Sequence, residues 1–205
     1  MEKENEIERE TPIIEKNDFK FTKINTNMFS LSFEITNDNI VLPMIINFDL
    51  INLIYKLNPS IFASVKMDKI ENELVNNNLE EVNISALLKD IFYELGLPQF
   101  YSSINIKKID TKLNALRETS SKIRFICNTI KNNLLLFPAD SESLPIEQID
   151  IVFTIVSDHY VKVKCDISLI EDHNLPQFTE KIIGNIIYNI FNKVKQFIEN
   201  IAFNV

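Results

Sequence analysis

The sequence predicts an α+β protein, with antiparallel sheet packed against amphipathic helices and a long C-terminal helix closing the chain. Three observations carry that reading. Val161, Val163, Cys165, Ile167 and Leu169 alternate with Lys162, Lys164, Asp166 and Ser168, the period of two that gives a strand one apolar and one polar face. Ile183, Ile187, Ile190, Val194, Phe197 and Ile201 recur at spacings of three and four, the stripe of a two-faced helix. In the first half, Phe29, Leu31, Phe33 and Ile35 alternate with Ser30, Ser32 and Glu34.

In chain order, residues 1–18 hold seven carboxylates and three basic side chains with little periodicity, and read as an acidic disordered arm. The Pro12-Ile13-Ile14 island inside it is suited to docking on a partner's strand edge through Ile13 and Ile14. A first α+β lobe, 19–98, follows. After the 29–35 strand and the turn Asn37-Asp38-Asn39, Ile40 to Phe48 reads as a second strand, with Pro43 marking an edge or bulge. Asp49 caps a short helix bearing Leu50, Leu53, Ile54 and Leu57 and closed by Asn58-Pro59; Ser60 to Met67 is a strand and Asn76-Asn77-Asn78 a loop. Ile84, Leu87, Leu88, Ile91, Phe92 and Leu95 form a helical stripe behind Asn83, and Gly96-Leu97-Pro98 stops it at the lobe boundary.

The second lobe, 99–205, opens with strands around Ile104 and Ile106 and through Ile123, Phe125 and Cys127, with a helical turn near Leu113 and Leu116 between them. Lys131-Asn132-Asn133 turns into Leu134 to Phe137, and a polar loop from Pro138 to Pro145 leads to Ile149, Ile151, Phe153 and Ile155. A three-residue connection, Ser157-Asp158-His159, sets these odd positions opposite Val161 and Val163, and requires a residue near the left-handed region. Asn174-Leu175-Pro176-Gln177 starts the closing helix as an N-cap. That helix is long enough to cover the other half of the chain or a second copy, and both lobes joining in one domain stays open. The repeated Leu-Pro-Gln-Phe at 97–100 and 175–178 ends one helix and begins another, so it marks no internal repeat.

A net charge of -8 argues against bulk attraction to nucleic acid or to an anionic membrane. No apolar run reaches the ~18 residues of a membrane span, and the charged start lacks the apolar segment of a secretory signal. An intracellular protein of cytoplasm, nucleus or virion interior, without a membrane role, is the expectation. Enrichment in Ile and Asn with 2 Gly and no Trp points to an A+T-rich genome, such as that of a large DNA virus, a protist parasite or a low-GC bacterium.

No catalytic constellation emerges. Gly96 and Gly184 are explained by helix positions, so no phosphate-cradling loop exists. His159 and Cys165 lie six residues apart on one strand, roughly 20 Å, beyond hydrogen-bond reach. His173 is near enough in sequence to fold back, but Cys165 sits on the apolar face and reads as a buried inert thiol. Glu171-Asp172-His173 offers metal ligands, yet carboxylates before a helix N-terminus are what its dipole favours. Glu71 and Glu73, or Glu80 and Glu81, read as solvated charge. Two cysteines make neither a disulfide framework nor a zinc site. The expectation is no enzyme, no cofactor and no metal.

Charge asymmetry remains. Lys107, Lys108, Lys112, Arg117, Lys122, Arg124 and Lys131 stand against only Asp110 and Glu118 between 101 and 133. They mark a docking surface for an acidic partner, nucleic acid or a neighbouring copy's arm. The strand-turn-strand-helix ending, residues 149–203, resembles at the level of pattern the last part of a TATA-binding-protein repeat, which implies a nucleic-acid-binding role. The sequence thus leads to a non-enzymatic interaction or assembly subunit that binds a protein partner or itself, with a nucleic-acid-binding or transcription-related subunit using residues 101–131 as the alternative.

Overall fold

A computed structural model describes residues 10–70, 80–91, 93, 96–111, 121–130, 136–170 and 177–202. One sheet of ten strands runs β1 (Thr11–Lys16), β2 (Phe19–Asn25), β3 (Met28–Thr36), β10 (Tyr160–Leu169), β9 (Ile146–Ser157), β7 (Lys122–Thr129), β6 (Phe100–Thr111), β5 (Glu81–Leu88), β4 (Phe62–Lys69) across its width. Short β8 (Glu142–Ser143) pairs in parallel with β6, and all other pairings are antiparallel. Helices α1 (Leu42–Ile45), α2 (Phe48–Lys56) and α3 (Gln177–Glu199) complete the described elements. The α+β class holds coarsely: the molecule is mostly sheet, with a long C-terminal helix. Strands from 19–98 and from 99–205 share that sheet, joined both where β3 pairs with β10 and where β5 pairs with β6.

The closing hairpin keeps the expected register by a different route. Ser157 pairs with Tyr160 across a two-residue turn, and a bulge at Val156 brings Ile155 opposite Val161 and Phe153 opposite Val163. The left-handed residues are elsewhere. Asn17 and Asp18, at φ 49° and 61°, make the tight turn between β1 and β2, a conformation Asn and Asp tolerate. Thr11–Lys16, within the stretch read as a disordered arm, is therefore an edge strand, and Ile14 pairs with Phe21.

Two first-half elements differ from expectation. Ile40 to Phe48 is no strand, because Pro43 sits in the first turn of α1 and the chain then turns into α2, capped by the Asn47 side chain on the amides of Asp49 and Leu50. The helix drawn through Ile84 and Leu88 is strand β5, whose Val82, Ile84, Ala86 and Leu88 all point to the core.

Helix α3 lies along β1–β3. Gly184 meets Ile14 and Phe21, Tyr188 is edge-on to Phe19, and Phe191 packs on Phe33. Lys23 on β2 pairs with Glu180 in the first turn at 2.5 Å, and Asn37 donates to the carbonyls of Ile198 and Ile201 at the far end. The buried stripe is turned relative to the one read from sequence: Tyr188, Val194 and Ile198 are buried, Ile183 and Ile190 half-buried, and Phe197 is 45 % exposed.

Candidate functional site

Odd positions of β2, β3, β7, β9 and β10 and even positions of β5 and β6 share one face of the sheet, and α2 and α3 lie over it. Helix α2 reaches from the middle of the sheet to its β4 edge: Phe48 meets Phe125 on β7 edge-on at 5.7 Å, and Tyr55 meets Phe62 on β4 at 4.8 Å. Asn58, just past α2, donates to the carbonyls of Ile54 and Ile190 and ties the two helices together. The result is an apolar layer between sheet and helices, floored by Ile84, Ile104, Ile106, Phe125, Cys127 and Ile151.

Tyr55 is the unusual member of that layer. Burial, and secondarily the Cys127 thiol, pushes its phenol above the ordinary range, so the ring lies deep. Yet the residue keeps accessible surface, and among the described residues its hydroxyl has no hydrogen bond. Among the described residues, the sealed side-chain atoms without partners are those of Asn27 and Asn58. The phenol of Tyr55 is thus a polar group packed beside the apolar core. Ile149 on β9, Ser102 on β6 and Ile187 on α3 likewise belong to this layer while keeping accessible surface.

One end of the sheet gathers exposed apolar side chains. It is the end where β5, β7 and β10 finish and β6 and β9 begin, as the pairs Leu87 with Tyr101, Asn128 with Gln148 and Leu169 with Ile146 fix it. Ile91, Tyr93, Leu97, Leu136, Ile170 and Phe178 are all exposed there, Tyr93 at 73 % and Phe178 at 60 %.

The basic residues singled out in the sequence do not converge. Lys107, Lys122 and Arg124 lie on the outer face, where Arg124 makes a two-point pair with Asp150 that raises its pKa and Lys107 reaches Glu81 at 3.7 Å. Lys108 takes the inward parity and pairs with Asp110 at 3.3 Å. Lys112, Arg117 and Lys131 lie outside the described residues, as do Glu71, Glu73 and Glu171-Asp172-His173. Ile13 sits at a bulge of β1, and both it and Ile14 pack on the core. His159 holds the carbonyls of Asn37 and Ile40 through Nδ1, while Cys165 is buried in the core, so His159 and Cys165 do not pair. Burial pushes the Cys127 thiol up to about 12 and raises Cys165 as well. Tyr55 went unselected because its role depends on where α2 lands on the sheet; an aromatic hydroxyl among Ile54, Leu53 and Leu57 was the available signal.

No family model and no curated protein sequence matches the chain. Solved structures do. The human StarD13 (DLC2) lipid transfer and protein localization domain superposes with TM-score 0.60 at 8 % identity, over 95 % of this chain and 91 % of that one. Human STARD10 gives 0.62 at 9 % identity over 94 % and 74 %, and human StAR-related lipid transfer protein 5 gives 0.54 at 8 % over 92 % and 87 %. At these identities the likeness is one of fold, that of the StAR-related lipid transfer domains.

That fold overturns the functional expectations. A sheet closed on a long helix around an apolar interior, shared with lipid-transfer proteins, replaces both the assembly subunit and the nucleic-acid-binding alternative, together with the pattern-level TATA-binding-protein resemblance. The protein, self or nucleic-acid partners and the exclusion of a membrane role fall with them, and the viral reading has no footing in a fold shared with these human domains. Among the described residues no helix is long and apolar enough to cross a membrane.

Proposed function

We propose that this chain binds one lipid molecule between its sheet and helices α2 and α3, and exchanges it with a membrane without altering it chemically. The observation that carries the reading is the superposition of more than nine tenths of the chain on human lipid-transfer domains. Two features support it independently. The layer between sheet and helices combines apolar walls with side chains that keep accessible surface, as ligand sites do. The apolar end formed by Ile91, Tyr93, Leu97, Leu136, Ile170 and Phe178 provides a surface suited to a bilayer interface. With a net charge of -8, contact with the bilayer rests on these apolar groups rather than on charge.

The test is to incubate the purified chain with vesicles of mixed cell lipids, re-isolate it and record native mass spectra. One lipid per chain, released on denaturation, is expected. A folded chain that carries no lipid and moves none between donor and acceptor vesicles would reject the reading.

A further inference from the structure

We propose that the apolar end of the sheet docks on an electrically neutral bilayer of zwitterionic phospholipid, and that the carboxylates gathered at this end turn the chain away from anionic membrane. The inference rests on the lipid-binding reading and names the membrane with which that exchange takes place.

Five stretches of chain meet at that end: 1–10 ahead of β1, 23–28 around the β2–β3 turn, 89–99 between β5 and β6, 131–147 from the end of β7 to the start of β9, and 170–181 from β10 into α3. The last three carry the exposed apolar side chains, Tyr93 and Phe178 foremost. Together the five stretches hold thirteen carboxylates against six lysines and arginines, a balance of -7 in a chain whose net charge is -8. The count takes in every residue of the five, so it does not depend on where each side chain points. Asp90, Asp140, Glu142 and Glu147 are all exposed at this end, Glu142 in β8 beside the first residue of β6. The remainder of the chain, at -1, is nearly neutral.

An exposed apolar patch gains from entering the interface of any bilayer, and charge decides which bilayer it meets. The outermost charge of a zwitterionic head group is its ammonium, with the phosphate beneath, so carboxylates around the patch find complementary charge there. An anionic leaflet sets up a negative potential that reaches about one Debye length into the water, and it repels each carboxylate brought within that range. Tyr93 and Phe178 cannot reach the acyl boundary without carrying the carboxylates of their own end into that field. The repulsion therefore acts at the point of contact, and the selectivity belongs to this end rather than to the molecule as a whole.

The experiment floats the full chain with vesicles of phosphatidylcholine, or of phosphatidylcholine mixed with phosphatidylserine, at low and at high salt. Wild type is expected to bind the choline vesicles about tenfold better at low salt, and the difference is lost when salt screens the field. Asp90→Asn, Asp140→Asn, Glu142→Gln and Glu147→Gln, combined in one chain, should shrink the preference to about threefold or less. Asp38→Asn, Asp68→Asn, Glu80→Gln and Asp158→Asn, exposed toward the other end, change the net charge equally and should leave the tenfold preference in place. Equal loss of preference in both variants would assign the effect to net charge and overturn the inference, as would wild type binding the serine vesicles equally well at low salt. Native mass spectra of the same protein report whether it carries lipid, so either result leaves the lipid-binding reading standing. A chain that carries no lipid and binds neither kind of vesicle would remove that reading and this inference with it.

Discussion

Gly184 faces Phe21 so closely that a Cβ on the glycine would stand 3.0 Å from the Phe21 ring, and equally close to Ile14. Helix α3 can approach the β1–β2 edge because this position carries no side chain. In an open helix, Gly to Ala would gain about 1 kcal/mol from propensity; here the methyl forces two packed side chains aside, at about 1–3 kcal/mol. Gly184→Ala is therefore expected to be neutral to destabilising, and Gly184→Val to lose about 3 kcal/mol. Urea midpoints at unchanged slope measure this, and a Gly184→Ala variant stabilised by the full propensity gain would show that the helix has room to lift.

The Lys23–Glu180 pair fastens the start of α3 to β2, with the Glu180 side chain 8 % exposed and that of Lys23 29 % exposed. Glu180 also lies in the first turn, where the helix dipole favours a carboxylate. Removing the lysine leaves a mostly buried charge unpaired, so Lys23→Met is expected to cost about 2 kcal/mol, part of which Glu180→Leu in the same chain recovers. A double-mutant cycle in urea should give a coupling of about 1–2 kcal/mol. Strict additivity of the two single losses would mean that α3 is held by its apolar contacts alone.

Stability should fall in alkali because of the two core thiols. Unfolded cysteines ionise near ~8.5, whereas burial holds Cys127 protonated up to about 12 and raises Cys165 too. Above the unfolded pKa the unfolded chain releases protons that the folded chain keeps. Stability from this source is thus complete below about pH 8 and declines as pH rises toward the folded value, at up to about 1.4 kcal/mol per pH unit for each thiol. Urea unfolding at pH 8 and pH 9.5, below the ordinary tyrosine range of about 10, should show the decline, and Cys127→Ala with Cys165→Ala should flatten it. An unchanged slope in the double variant would assign the alkaline loss to other groups.

The sheet-and-helix frame was legible where periodicity was local, as in the pairing of the 149–169 hairpin and the existence of α3, though not in which side of α3 is buried. The β5 stretch was not: Leu87 and Leu88 side by side fit a helical stripe, while Val82, Ile84, Ala86 and Leu88 fit a strand, and only pairing with β4 and β6 decides. Charge density obscured β1, whose apolar residues matter because β2 and α3 reach them from distant parts of the chain. The site was the least legible part. Its walls come from β5, β6, β7, β9 and α2, and Tyr55 acquires meaning only when α2 lies over Cys127, a relation between residues far apart in sequence. The basic segment misled for the opposite reason. Its clustering in sequence is divided between two faces of the sheet, and Lys107, Lys108 and Arg124 are each paired with a carboxylate.

Exchange of a lipid with a bilayer should depend on the apolar end of the sheet and not on the other end. Tyr93 and Phe178 are its most exposed members, at 73 % and 60 %. A large apolar side chain moved from water into the interface gains up to roughly 1.5–3 kcal/mol, so replacing both with serine should slow transfer of a pyrene-labelled lipid between phosphatidylcholine vesicles by about tenfold or more. Neither side chain belongs to the layer around Tyr55, so the amount of lipid held per chain should stay the same. Met44, at the opposite end in α1 and 77 % exposed, is the control: Met44→Ser removes exposed apolar surface there and should leave the rate unchanged. Because the contact is apolar and the chain is acidic, raising salt should not abolish transfer from neutral vesicles, and anionic vesicles should be poorer donors. Equal slowing by Met44→Ser and by the Tyr93/Phe178 pair would mean that the exposed apolar end has no special part in exchange.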